Sequence, residues 1–332
     1  MNRSNLLAEF LAATDWAEST QVLVAGDASN RKYTRLTRND GRTAILMDAP
    51  PEKGEDVRPF VRIGNYLRDN GLSAPEIYAQ NADTGFLIIE DLGDDLFASL
   101  MAQDATYERP LYKASVDALV HLHNAPALAL PDCDPDWLEK MNGFIFDWYA
   151  PETDAVSVKA FHAAFRPLAD LLQQSKKVVI LRDYHAQNLL WLPERPRIAN
   201  VGQLDFQDAL LGHPAYDLVS ILQDARRDVD PSIEAEMIDY YLAQTGLERN
   251  AFLTAYAILG AQRNLCILGI FARLCKRDGK PHYVDLIPRV WEFVMRNLAH
   301  PALAPLSETL SLPEPTPSFL QALKDSCKTS RS

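Results

Sequence analysis

Asp183, Asn188 and Asp205 are three oxygen-bearing side chains whose spacing lets one loop and one hairpin bring them to a single place. The stretch around them, residues 178–217, reads VVILRDYHAQNLLWLPERPRIANVGQLDFQDALLGHPAYD. Val178 to Leu181 are apolar and rich in β-branched residues, which predicts a short buried strand. The polar loop Arg182 to Asn188 follows, then a second apolar run from Leu189 to Leu192. Pro193-Glu194-Arg195-Pro196 is a turn, because proline fixes φ and removes a ladder donor. The chain returns through Ile198 and Val201 to Leu204-Asp205-Phe206. A hairpin running out from Asn188 and back to Asp205 joins those side chains at its open end, with Asp183 one loop away. Two carboxylates and an amide suit phosphoryl transfer. Mg²⁺ takes hard oxygen ligands and keeps several waters, so Asn188, Asp205 and the phosphates of ATP would complete its shell. Asp183 would accept the proton of the attacking hydroxyl.

Asp-x-x-x-x-Asn followed by Asp-Phe is the catalytic-loop and metal-loop pair of the protein-kinase template. Such a spacing on its own fits a capped loop and a strand end equally well. Two flanking apolar strands and an Asp-Phe at hairpin distance favour the chemical reading.

The elements that must position these residues begin at the N-terminus. Leu6, Leu7, Phe10 and Leu11 predict an amphipathic helix over 4–13. Strands are predicted over 20–25, 31–37, 43–47, 75–80 and 86–90, with a helix over 57–69 and a hairpin turn at Asn39-Asp40-Gly41. The small-residue turn from Gly26 through Ser29 to Asn30 can lie over phosphates and offer them backbone N–H groups. No Gly-x-Gly occurs, so neither a dinucleotide fingerprint nor a Walker loop is present. The template asks for a lysine on the third strand and a glutamate on the next helix. Here the lysine position carries Met47 and the helix has no glutamate, so Arg31 or Arg35 is expected to meet the ATP phosphates instead. Glu90 and Leu92 leave the last strand as extended backbone, suited through C=O and N–H to an adenine edge.

Further helices are expected over 107–123, 234–244, 250–276 and 283–299, the second ending at Gly246. Asp217, opening a helix at Tyr216, is expected to accept hydrogen bonds from the backbone of the Asp183 loop. A sugar site needs a flat apolar ring beside polar tips, so Trp148 and Tyr149 are candidates for substrate contact. Arg263, which with Asn264 interrupts an apolar helix, either reaches the acceptor or joins a core network.

The chain has 332 residues, 47% hydrophobic and 23% charged, an ordinary globular composition with room for a two-lobed enzyme. Its 33 basic against 45 acidic side chains give a formal charge of −12, which argues against nucleic acid or an anionic membrane as partner. A neutral or cationic small molecule fits that balance better. Cys133, Cys266, Cys275 and Cys327 show no Cys-x-x-Cys spacing and are expected to be free thiols of a reducing compartment. The N-terminus lacks a signal-peptide pattern and no apolar run approaches the ~20 residues of a membrane span, so a cytoplasmic protein is expected. No feature of the sequence assigns an oligomeric state.

The central stretch resembles the aminoglycoside phosphotransferase and choline kinase superfamily. More closely, the chain is similar to bacterial anomeric kinases of N-acetylmuramate and N-acetylglucosamine. Its passages GDASNRKYTR at 26–35, MDAPPEKGEDVRPFVRI at 47–63, FLIIEDLGDD at 86–95 and RDYHAQNLLWLP at 182–193 carry that resemblance, together with LDFQDALLGHPAYDLVSILQDARRDV at 204–229 and GIFARLCKRDGKPHY at 269–283. The resemblance implies an α+β, protein-kinase-like bilobal fold. A small antiparallel lobe over 1–92 would bind the nucleotide, a larger helical lobe over 93–312 would carry catalysis and substrate, and 313–332 would form a tail. It implies ATP and Mg²⁺ as cofactors, Asp183 as base, Asn188 and Asp205 as metal ligands, and the turn from Gly26 over ATP. The expected reaction is phosphorylation of a sugar hydroxyl at C1. An aminoglycoside, choline or homoserine acceptor is the first alternative, and a nucleotide-binding regulator with little turnover the second. The chain departs from the superfamily at Leu181, where a histidine usually packs and hydrogen-bonds within the catalytic loop.

Overall fold

A computed structural model describes residues 2–26 and 30–327. Contacts divide the chain into two compact units, Met1–Ala125 with Ala186–Ala209, and Pro126–His185 with Leu210–Ser332. This division differs from lobes meeting at residue 92. Backbone pairing is the reason: Ser73 bridges Gly202, Leu96 bridges Leu190, and the Gln203 N–H donates to the Ser73 carbonyl at 2.7 Å. These links draw the Asn188–Asp205 hairpin into the first unit.

The first unit opens with helix α1 (Arg3–Ala12) and strands β1 (Thr20–Gly26), β2 (Lys32–Thr37) and β3 (Thr43–Asp48). Helix α2 (Arg58–Asp69) then leads to β4 (Ile77–Asn81) and β5 (Phe86–Glu90). The strands form one antiparallel sheet in the order β1-β2-β3-β5-β4. Gly41 takes φ +83° in the β2–β3 turn, a conformation glycine adopts without a Cβ penalty. Strand alternation sorts β3 into two faces. Ala44 and Leu46 enter a core with Leu11, Trp16, Leu36 and Ile88. Ile45 and Met47 take the other face, opposite Arg35 and Tyr33 of β2. Helix α2 buries Phe60, Ile63, Gly64 and Leu67, the i, i+3, i+4, i+7 stripe of an amphipathic helix. Helices α3 (Phe97–Gln103) and α4 (Glu108–Asn124) complete the unit with the hairpin Leu189–Trp191/Val201–Gln203.

In the second unit, the short strand Val178–Ile180 pairs antiparallel with Leu210–Gly212. Helix α5 (Pro135–Phe144) runs into a π-turn at Ile145–Tyr149, followed by α6 (Ala155–Leu172) and α7 (Ala215–Leu222). Helices α8 (Pro231–Thr245), α9 (Arg249–Lys276), α10 (Ile287–Leu298), α11 (Ala304–Thr309) and α12 (Pro317–Asp325) follow. α9 is the axis of this unit. By length and composition it could cross a membrane, yet 94% of its most apolar window is buried in protein. Gly269 lets it approach the π-turn: a Cβ there would lie 2.2 Å from the Phe144 carbonyl oxygen.

The expectation of four free thiols is corrected. Cys133 and Cys266 are free and buried, but Cys275 and Cys327 form a disulfide with Cα atoms 5.0 Å apart. The pair spans 52 residues and joins α9 to the chain just beyond α12. The segment read as a tail therefore carries a helix and a covalent link.

Candidate active site

The first unit contains a cavity of about 330 Å³. Val24, Tyr33, Arg35 and Ile45 supply its sheet side, Glu90 to Asp94 the edge where β5 ends, and Leu190 and Leu204 the opposite apolar wall. Asn188 and Asp205 line the same cavity. It is a slot with apolar walls and a few polar groups, the usual construction of a small-ligand site.

Asn188 and Asp205 arrive there by local pairing. Leu189 pairs with Gln203, and the Leu204 N–H donates to the Asn188 carbonyl at 2.9 Å. Asp205 sits at φ +54°, a left-handed conformation that costs a non-glycine residue about 1–2 kcal/mol. Two neighbours hold it. Gln207 Nε2 donates to Asp205 Oδ1 at 2.7 Å, and the fully buried Phe206 ring stacks on Phe60 of α2 with centroids 4.8 Å apart. Phe206 also lies against Gly64, where an added Cβ would be 3.3 Å from its ring. The sequence of α2 thus fixes the backbone that presents Asp205.

The two arginines expected to meet phosphates have carboxylate partners. Arg35 is held by Asp91 at 2.6 Å and Asp94 at 2.9 Å, and these bonds raise its pKa. Arg31 Nε donates to Glu55 Oε2 at 2.8 Å. Glu55 Oε1 also accepts the Asn30 N–H at 3.1 Å, and Asn30 Nδ2 donates to the Lys53 carbonyl at 3.2 Å. Glu55 therefore pins the chain at Asn30 and Arg31, just before β2. It stands just before α2, outside the helix where the kinase template places its glutamate. Gly26 ends β1 and pairs with Lys32, while Ser29 lies outside the described residues. Met47 is fully buried. Glu90 and Leu92 both line the cavity, and Glu90 is bound by Arg195 at 2.5 Å.

Asp183 belongs to the second unit, on the loop leaving the Val178–Ile180 strand. Asp217, fully buried on α7, organises that loop. Its Oδ2 accepts the Leu181 N–H at 2.6 Å and its Oδ1 accepts the Arg182 N–H at 2.8 Å. Burial pushes the Asp217 carboxyl up to about 7 against the pull of those two donors. Arg182 takes φ +70° with its guanidinium 5.1 Å from the Trp137 ring centroid. Leu181 is buried and apolar, so the backbone of the loop rests on Asp217. His185 is buried too, and desolvation, then Arg226 and Arg263, hold its imidazole well below its usual pKa and hence neutral. Arg263 Nη2 donates to Ser220 Oγ at 2.6 Å and to the Arg182 carbonyl at 3.2 Å. Tyr149 is buried, donates to the Pro313 carbonyl at 2.8 Å and borders a separate cavity of about 700 Å³. The Trp148 carbonyl accepts from Lys276 at 2.8 Å.

The first unit thus holds an apolar slot on a five-stranded antiparallel sheet with an amide and a carboxylate in its lining, and the second holds Asp183 on a braced loop. Residues 20–253 match the phosphotransferase enzyme family, and the chain belongs to that family. It is accordingly a kinase with an alcohol group as acceptor. Among its relatives is the N-acetylmuramate/N-acetylglucosamine kinase of Caulobacter vibrioides, 39% identical, the match covering 90% of this chain and 93% of that protein. A kinase of the same name from Pseudomonas aeruginosa is 34% identical over 93% of this chain and 94% of its own. Among solved structures, choline kinase LicA from Streptococcus pneumoniae superposes with a TM-score of 0.63 at 15% identity, covering 88% of this chain and 99% of its own. The ADP-bound aminoglycoside phosphotransferase APH(2'')-Ib gives 0.60 at 14% identity, covering 88% and 96%. At those identities the structures share the fold.

Proposed function

We propose that the protein transfers the γ-phosphoryl group of ATP, with Mg²⁺, to the C1 hydroxyl of N-acetylmuramate or N-acetylglucosamine, in the cytoplasmic reuse of cell-wall sugars. The observation carrying the phosphoryl-transfer part is the placement of Asn188 and Asp205 in one apolar slot; the names of the relatives support the acceptor. A cytoplasmic site follows from the use of ATP.

An amide oxygen and a carboxylate are hard donors, so Asn188 and Asp205 fit Mg²⁺ shared with phosphates. Among the described residues no three His, Cys, Asp or Glu side chains form a metal site of their own. That suits an ion completing its shell from the nucleotide. When bound, the ion neutralises phosphate charge. The backbone at Glu90 and Leu92 receives the base. Arg31, braced by Glu55, takes the place of the strand lysine, while Arg35 ties β2 to the edge that receives the base. Asp183 orients the acceptor hydroxyl and takes its proton. Trp148 or Tyr149 offers the sugar an apolar ring.

The test is ³¹P NMR of the protein with ATP, Mg²⁺ and each amino sugar in turn, with choline, homoserine and an aminoglycoside alongside. A sugar phosphate resonance split by the anomeric proton is expected with N-acetylmuramate or N-acetylglucosamine. Phosphorylation only of choline, homoserine or the aminoglycoside would overturn the acceptor assignment.

A further inference from the structure

Arg263 is a cation in the middle of a helix whose other faces are packed. Its neighbours Gln262, Asn264, Leu265 and Cys266 are buried. Among the described residues it forms no ion pair, and its Nε is buried without a hydrogen-bond partner. The side chain is half-buried, and Asp217 lies close enough to feel its charge, so the guanidinium keeps donors for the backbone beside that carboxyl. Those donors converge on one backbone atom. Arg263 Nη2 reaches the Arg182 carbonyl at 3.2 Å, and Ser220 Oγ, which accepts from Arg263 at 2.6 Å, donates to that carbonyl at 3.1 Å.

Arg182 is the residue directly before Asp183, and it stands at φ +70°. A non-glycine residue holds that conformation only where its surroundings over-determine it. On its amide side Asp217 accepts the N–H at 2.8 Å. On its carbonyl side Arg263 and Ser220 donate. Residue Arg182 is thus clamped at both its amide and its carbonyl, by α7 on one side and by α7 with α9 on the other. The Leu181 side chain contributes nothing polar to this clamp, though its carbonyl accepts the Asp183 N–H at 2.9 Å. The carbonyl side is the one joined directly to Asp183 N, so rotation about the Arg182–Asp183 peptide is what Arg263 opposes.

We infer that Arg263 is a positioning residue: through the Arg182 carbonyl it fixes the peptide plane from which Asp183 is aimed, and it does not itself touch the acceptor. The inference rests on Asp183 being the base of the proposed kinase. Its consequence is a loss in the chemical step with nucleotide binding intact, since misplacing a reacting group by about 1 Å can cost about 100-fold.

The experiment uses the full chain and the amino sugar that the wild type phosphorylates. Arg263→Ala is expected to lower kcat about 10- to 100-fold with KM for ATP unchanged. Arg263→Lys, which keeps one donor for the carbonyl, restores part of the loss, as does methylguanidinium added to the alanine variant. Should Arg263→Ala fail to fold, Ser220→Ala carries the test through a smaller change in the same clamp. Its kcat falls several-fold, and Ser220→Ala combined with Arg263→Lys loses less than the product of the two single effects. Full kcat in Arg263→Ala, strictly independent effects of the two positions, or a rise in acceptor KM with kcat unchanged would overturn the inference. Asp183→Asn separates this from the parent reading. An active Asp183→Asn defeats the base assignment, whereas an inactive Asp183→Asn beside a fully active Arg263→Ala defeats the clamp alone.

Discussion

Replacing Asp217 by Asn should make the protein more stable at pH 8 and a poorer catalyst. The carboxyl is fully buried, and its pKa is pushed from 3.8 up to about 7, first by desolvation. Between those values the folded protein holds a proton that the unfolded chain has released. The group's contribution is therefore complete below pH 3.8 and is lost as pH rises through 7. A difference of about 3.2 units at about 1.4 kcal/mol each gives about 4 kcal/mol of destabilisation above pH 7. Asn carries no charge to bury, but it offers one acceptor where two N–H groups point, so one buried donor is left unmet at about 1–3 kcal/mol. The net gain at pH 8 is about 1–3 kcal/mol, and it should vanish as pH falls below 5. The freed Leu181 or Arg182 amide loosens the loop, and kcat should fall at least about 10-fold. Urea unfolding of both proteins at pH 8, 6.5 and 5, read beside turnover, measures both effects. If Asp217→Asn is less stable than the wild type by the same amount at every pH, the ionised carboxylate is not the strained group described above. Unchanged turnover would refute its role in bracing the loop.

Asp183→Asn should keep nucleotide binding, measured by calorimetry, while kcat falls about 10²–10⁴-fold through loss of the general base. Arg35→Ala leaves Asp91, whose side chain is only 6% exposed, without its cation; an unpaired buried carboxylate in the slot should raise KM for ATP roughly 10-fold, seen in initial-rate kinetics. His213 is buried, accepts the Ala215 N–H at 3.1 Å through Nδ1, and is pushed by burial from 6.5 down to about 4. The unfolded chain takes up that proton first, so its contribution is complete above pH 6.5 and is lost as pH falls toward 4. About 2.5 units correspond to about 3 kcal/mol, and His213→Asn should flatten that acid limb in urea titrations.

Much of the fold was readable because its signals are local. The sheet strands alternate, Gly41 and Gly246 stand where φ is positive, and Asp217 meets the loop it was expected to hold. Asn188 and Asp205 could be paired on paper because two apolar runs and a proline turn dictate a hairpin. What escaped was set by distant packing. Arg35 meets Asp91 and Asp94 across 56 and 59 residues, and nothing in RKYTR announces those partners. Glu55 stands before α2, whereas the kinase template places its glutamate inside the helix. The disulfide joins residues 52 apart with no local spacing to mark it. Helix α6 carries Pro167 in its interior, a residue that normally argues against a helix.

The two departures from the kinase template, Met47 and Leu181, have a common physical logic. Each removes a polar side chain from a buried place, and each stands near a strand end or loop that other groups hold from outside. Met47 is fully buried, while Arg31 and Glu55 pair at 2.8 Å, one before β2 and the other before α2. Leu181 is buried, while Asp217, Ser220 and Arg263 bind the next residue on both sides. A buried lysine or histidine has to be desolvated, whereas an arginine reaching in from a neighbouring element keeps several donors and a permanent charge. Substituting lysine for Arg31 therefore should not reproduce it: one ammonium cannot match the planar guanidinium in holding Glu55, so in initial-rate kinetics KM for ATP should rise in Arg31→Lys and rise further in Arg31→Ala.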